Sequence, residues 1–156
     1  MNCDWHDFLR LARRGLAAGP GGDAALHAAV QLVRGRPFQG IDPAAYTWAE
    51  PDIQEMISSV VDVAHALATI RLDRGDLRGA QWAAARGLAA EPCSELLYRD
   101  AIRAAAAAGD QAEAQRLTER LRHQLRLLDP DDTIDDPDTL ASGSEPSGAS
   151  RSRATV

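Results

Sequence analysis

The chain has 156 residues, 45% of them apolar, which suffices for one domain with a buried core. Its 23 acidic residues outnumber 17 basic ones, all of them arginine, for a formal charge of −6, a balance that disfavours nucleic acid as the primary partner. No apolar run approaches the ~20 residues that span a bilayer, no secretory h-region follows Met1, and Cys3 and Cys93 form no CxxC pair, so a cytoplasmic protein with reduced thiols is expected.

Taken in order, Asp4 to Ala18 is predicted as a first helix. Trp5, Phe8, Leu9, Ala12 and Leu16 recur at three- and four-residue steps and form one apolar stripe. Asp4 suits the positive end of that helix as a candidate N-cap. Gly19-Pro20-Gly21-Gly22 breaks the pattern, and Asp23 is predicted to cap a second helix running to about Arg34, with Leu26, Val30 and Val33 as its inner side. The short turn implies an antiparallel pair.

Two prolines and two glycines between Gly35 and Pro43 exclude helix there. Phe38, Ile41, Tyr46 and Trp48 give this loop four large apolar anchors, so it is expected to pack on the helices. Thr47-Trp48-Ala49-Glu50 fits a capping box, with Pro51 tolerated in the first turn, and a third helix should extend to about Arg74. Ile53, Met56, Ile57, Val60, Ala64, Leu67, Ala68 and Leu72 form its main face. Val61 and Val63 widen that face, as in a central helix with neighbours on both flanks.

Asp76 is predicted to cap a fourth helix, Leu77 to Glu91, whose Ala80, Ala83, Ala84 and Gly87 permit close approach before Pro92 stops it. Ser94 caps a fifth, Glu95 to Ala108. Asp110 caps a sixth with Glu113 three residues on, running to about Leu128 along a seam of Ala114, Leu117, Leu121, Leu125 and Leu128. Residues 1–140 are expected to form the domain, with Ile134 and Leu140 as candidates to dock on the last helix. Residues 141–156, rich in Ser, Gly and Ala, are expected to form a disordered tail.

A repeat organises these helices. Gly75-Asp76-x-x-x-Ala80-Gln81 recurs as Gly109-Asp110-x-x-x-Ala114-Gln115, 34 residues later, which is the period of the tetratricopeptide repeat. Gly22-Asp23 occupies the corresponding place in a divergent first copy. The expected fold is therefore all-α, a tetratricopeptide-like right-handed array of about three antiparallel helix pairs that bury one another's apolar faces.

Little else points to chemistry. The aspartate run (Asp129, Asp131, Asp132, Asp135, Asp136, Asp138) places Ile134 and Leu140 where a calcium loop needs Gly and Glu, so it reads as a solvated acidic linker. The four histidines lack paired ligand spacing, and His65 reads as a satisfied, partly buried side chain. No phosphate loop, nucleophile elbow or readable carboxylate pair is present, so no catalytic, metal or cofactor site is expected. Cys93 reads as a quiet turn residue. The arginines of the sixth helix, at 116, 120, 122 and 126, read as a partly self-paired solvated face.

The ordered set of Phe8, Ala28-x-x-x-Leu32-Val33-Arg34-Gly35-Arg36-Pro37-Phe38, Trp48-Ala49-Glu50-Pro51, Gly75-Asp76-x-x-x-Ala80, Glu95-Leu96-x-Tyr98-Arg99, Gly109-x-x-x-x-Ala114 and Leu121-Arg122 resembles the bacterial transcriptional activator domain. This is the tetratricopeptide-like module of actinobacterial antibiotic regulatory proteins and their LysM-containing relatives. The resemblance covers about residues 4 to 140. It implies a regulatory and self-association role beside a separate DNA-binding winged helix. No winged helix precedes the first helix in this sequence, and Thr118 stands where the family commonly places an aromatic residue.

The expectation is a non-enzymatic module that binds a protein partner or itself. The expected groove is lined by the first helix of each pair and the Pro37–Trp48 loop. Arg71, Arg74, Tyr98 and Arg99 are its candidate polar contacts, with Phe38 and Trp48 as apolar ones. Direct DNA binding by the arginine-rich helices, or a role within a cell-envelope LysM-type protein, are the alternatives.

Overall fold

The computed structural model describes residues 4–38 and 47–128. They form six α-helices: α1 (Asp4–Ala17), α2 (Asp23–Gln31), α3 (Glu50–Asp73), α4 (Leu77–Ala90), α5 (Glu95–Ala107) and α6 (Gln111–Leu128). Short 3-10 turns, Gly19–Gly22 and Thr47–Ala49, precede α2 and α3, and the described residues include no strand. Ile41 and Tyr46, the domain boundary at 140, and Ile134 and Leu140 lie outside the described residues.

The helices pack as three hairpins, α1 on α2, α3 on α4 and α5 on α6, with α2 against α3 and α4 against α5 joining them. Each hairpin contributes large side chains that are wholly buried, led by Leu26, Leu67 and Leu97. Complete burial of one such side chain stabilises the fold by about 2 kcal/mol. α3 touches α1, α2, α4 and α5, the central role its wide apolar face implied.

The repeated Gly-Asp dipeptide ends one helix and starts the next. Asp76 N–H donates to the Arg71 carbonyl at 2.8 Å and Gly75 N–H to that of Leu72 at 3.0 Å. In the second copy Asp110 N–H donates to Ala105 at 3.0 Å and Gly109 N–H to Ala106 at 3.0 Å. This pairing, six-to-one inside five-to-two, is the Schellman motif, and its glycine sits in the left-handed region. Gly75 has φ +76° and Gly109 φ +77°. The aspartates then cap the following helices, accepting from Gly79 N–H at 3.0 Å and Glu113 N–H at 2.9 Å. Ser94 caps α5 through Leu97 N–H at 3.4 Å.

The first pair departs from this scheme. Asp23 does not cap α2: Gly22 holds the cap position without a side-chain bond, and the Asp23 carboxylate faces Arg71 instead. The expected capping box at Thr47 is also absent. Ala49 is the cap residue of α3, and Glu50 accepts from Gln54 Nε2 at 2.7 Å within the helix. α2 stops at Gln31, short of Arg34.

Leu16 is 47% exposed rather than part of the α1 stripe. Gly15 takes the inner position, because a Cβ there would stand 2.6 Å from the Leu26 side chain. Gly22 is tighter still, since its Cβ would meet the Gly15 carbonyl oxygen at 2.0 Å. Close backbone contact, rather than a continued leucine stripe, joins the first two helices. On α6 Ala114 of the expected seam is buried. Leu117, Leu121 and Leu125 are half-buried, as befits the last described helix of a stack.

Candidate functional site

The six candidate residues occupy several distinct environments. Arg71, in the last turn of α3, is a bridge between hairpins, with only 11% of its side chain exposed. Its Nε donates to Asp23 Oδ2 at 3.0 Å and Nη2 to Asp23 Oδ1 at 3.4 Å. Nη1 reaches the Gly79 carbonyl at 3.4 Å, and Asp76 lies 3.8 Å away. The guanidinium also packs on Trp82, its carbon 5.7 Å from the ring centroid. One side chain thereby ties α2, α3 and α4 together.

His27 completes this cluster. Its ring sits 4.6 Å from that of Trp82, and Arg71 Nη2 lies 3.0 Å from its Nδ1. Arginine offers only donors, so Nδ1 is the acceptor and the proton of the neutral imidazole is on Nε2. Gln31 stands 3.0 Å from Nε2. Two donors cannot face each other there, so the amide presents its oxygen. Arg71 holds the Asp23 carboxyl below its ordinary range. Partial burial opposes that shift, and the nearby charges of Arg71 and Arg74 reinforce it.

Arg74 is half exposed. Its Nη2 donates to the Pro20 carbonyl and its Nη1 lies 3.9 Å from Asp23. Arg99 is exposed and paired within α5 to Glu95 at 3.0 Å. Tyr98 is 3% exposed and lies on the floor of a groove between α4 and α6, the second helices of their pairs, instead of on an open surface. Burial raises its phenol pKa, and Arg120 partly offsets that.

Phe38 and Trp48 were expected as packed anchors and are instead 45% and 73% exposed. Phe38 adopts φ +59°, a conformation that is strained for a bulky residue. It edges a cavity of about 530 Å³ between α1, the end of α2 and the start of α3. Trp5, Phe8, Leu32, Met56 and Val60 supply the apolar lining, and Asp4, Arg34 and Arg36 add charge. Trp5 and Phe8 stack at 5.0 Å with their planes 10° apart.

His65 is half-buried, and its Nδ1 lies 2.6 Å from Asp100 Oδ2. Asp100 itself is 2% exposed, an acidic side chain buried among the described residues. It was not singled out from the sequence, although it shares a helix face with buried Leu97, Ala101 and Ala104. A carboxylate inside an apolar stripe is the signal that marks it. Trp82 was likewise missed, a lone large aromatic in a helix of small residues.

Cys93 is half-buried, its amide donating to Glu91 at 3.2 Å and its thiol to Gln124 at 3.5 Å. Among the described residues no three His, Cys, Asp or Glu side chains converge as metal ligands. No described helix is long and apolar enough to cross a membrane.

Three stacked helix pairs, the second and third each closed by the same Schellman turn, define a tetratricopeptide-like repeat protein. The family profile of the bacterial transcriptional activator domain matches residues 3–132. The chain therefore belongs to that family, whose members are associated with transcriptional regulation. No curated protein and no solved structure matches it.

Proposed function

We propose that this chain is a non-enzymatic interaction module of cytoplasmic transcriptional control. It binds a protein partner, or a second copy of itself, through the groove that α1 and α3 form beside Phe38. The observation that carries this reading is the apolar cavity between those two first helices. Stacked aromatics lie inside it, and Phe38 is held in a strained conformation at its edge. Strain at such a rim fits a ligand clamp, and a concave apolar site with a few charged groups fits side-chain capture.

Phe38, Trp48 and Arg99 are the contacts that remain accessible. Arg71 and Tyr98 act from within, fixing the neighbouring helices. Immobilised chain is compared with Phe38→Ser, Trp48→Ser and Arg99→Ala variants for protein capture and for self-association by light scattering. The reading expects a partner or dimer that is held by the parent and weakened in the Phe38 and Trp48 variants. Equal retention by all variants sinks it.

A further inference from the structure

The outer face of α4 carries positive charge that the fold leaves uncompensated. α4 contains Arg78 and Arg86 and no acidic residue. Arg86 is half-buried, its guanidinium carbon 5.9 Å from the Trp82 ring centroid, and its Nε is enclosed without an acceptor. Among the described residues it makes no ion pair. On the other flank of α4 a groove of about 670 Å³ separates it from α6, with Ala85, Leu88 and Leu117 in its apolar lining. Exposed Arg120 stands toward one end of that groove, again without an ion pair among the described residues.

Asp110 and Glu113 line the other end. Glu113 pairs with Arg116 at 2.7 Å and Asp110 accepts the Glu113 amide, so the acidic groups sit at the end away from Arg120. The face is therefore an apolar channel with one free cation along it and another across the small-residue ridge of α4. Packing on Trp82 restrains the Arg86 fork, which favours a bidentate carboxylate contact.

We propose that this face binds an acidic, leucine-bearing peptide segment of a partner protein. One carboxylate takes Arg86, an apolar side chain enters the α4–α6 groove, and a second carboxylate takes Arg120. A polyphosphate backbone is disfavoured because Arg120 is the one cation among the described residues that line the groove. The site is separate from the α1–α3 cavity, so either can fail without the other.

The probe is a fluorescein-labelled peptide of repeating Glu-Glu-Leu, followed by polarisation against the full chain. A second chain has Asp129, Asp131, Asp132, Asp135, Asp136 and Asp138 changed to Asn, which removes any competing acidic run. Saturable binding that weakens with salt is expected for at least one of the two. Arg86→Gln should weaken it by about tenfold and Arg120→Gln by about threefold. Arg86→Lys should fall between parent and Gln, and exposed Arg13→Gln should change nothing. Circular dichroism verifies that each variant is folded. No binding by either chain, undiminished binding by Arg86→Gln, equal binding of an Arg-Arg-Leu peptide, or displacement of the probe by duplex DNA of matched charge overturns the proposal.

Discussion

Arg71 Nε and Asp23 Oδ2 lie 3.0 Å apart although 48 residues separate them in sequence. Removing the guanidinium strips a donor from Asp23, His27 and the Gly79 carbonyl at once. Arg71→Met should therefore destabilise the protein by about 3 kcal/mol, measured by urea unfolding. The loss should be matched by weakened docking of the first helix pair on the second in hydrogen exchange.

The same contact sets an acid dependence. Asp23 has its carboxyl pKa lowered from 3.8 chiefly by the Arg71 hydrogen bond, so the native state binds this proton less readily than the unfolded chain. The stabilisation is complete above about 3.8 and is lost as pH falls through the lower native value. Urea midpoints collected on acidification should show this decline in the parent and a shallower one in Arg71→Met.

His65 and Asp100 form a second long-range pair, at 2.6 Å. His65→Ala would leave Asp100 enclosed without this partner, at a cost of about 3 kcal/mol. The double variant with Asp100→Leu should recover part of that loss. A thermal-unfolding cycle that gave simple additivity would refute the coupling.

Three glycines separate backbone strain from overlap. Gly75 and Gly109 have open space around a Cβ but positive φ, so Ala at either should cost a similar amount, about 1–2 kcal/mol. Gly22 needs no unusual φ, yet its Cβ would strike the Gly15 carbonyl. Gly22→Ala should therefore cost more, about 3 kcal/mol, and thermal midpoints should rank the three accordingly.

Tyr98 gives a test at the other end of the pH scale. Burial raises its pKa above 10.0, so the neutral phenol is the form the fold favours. Its contribution persists below the ordinary value and is lost as pH rises through the native one. Ultraviolet titration should register a tyrosine that ionises late, and Arg120→Gln should delay it further by removing a neighbouring cation.

The helix pairs were legible because their signals are local. Gly75-Asp76 and Gly109-Asp110 state both the end of one helix and the cap of the next, and the apolar period of α3 names its partners' side. The arginine bridge was not legible in the same way. Asp23 satisfies the pattern of a cap, and only the approach of α3 gives it a better partner. Gly15 reads as a helix weakener until Leu26 is seen to occupy the missing Cβ's place. Phe38 and Trp48 read as anchors from size alone, but where large side chains settle depends on the path of the intervening chain.

Trp82, enclosed by the rings and guanidinium groups of His27, Arg71 and Arg86, is a natural optical probe. With Trp5 and Trp48 replaced by phenylalanine, its emission would report the separation of the leading hairpin from the rest without an attached dye. The order in which the array comes apart would then be readable from one chromophore that the sequence already supplies.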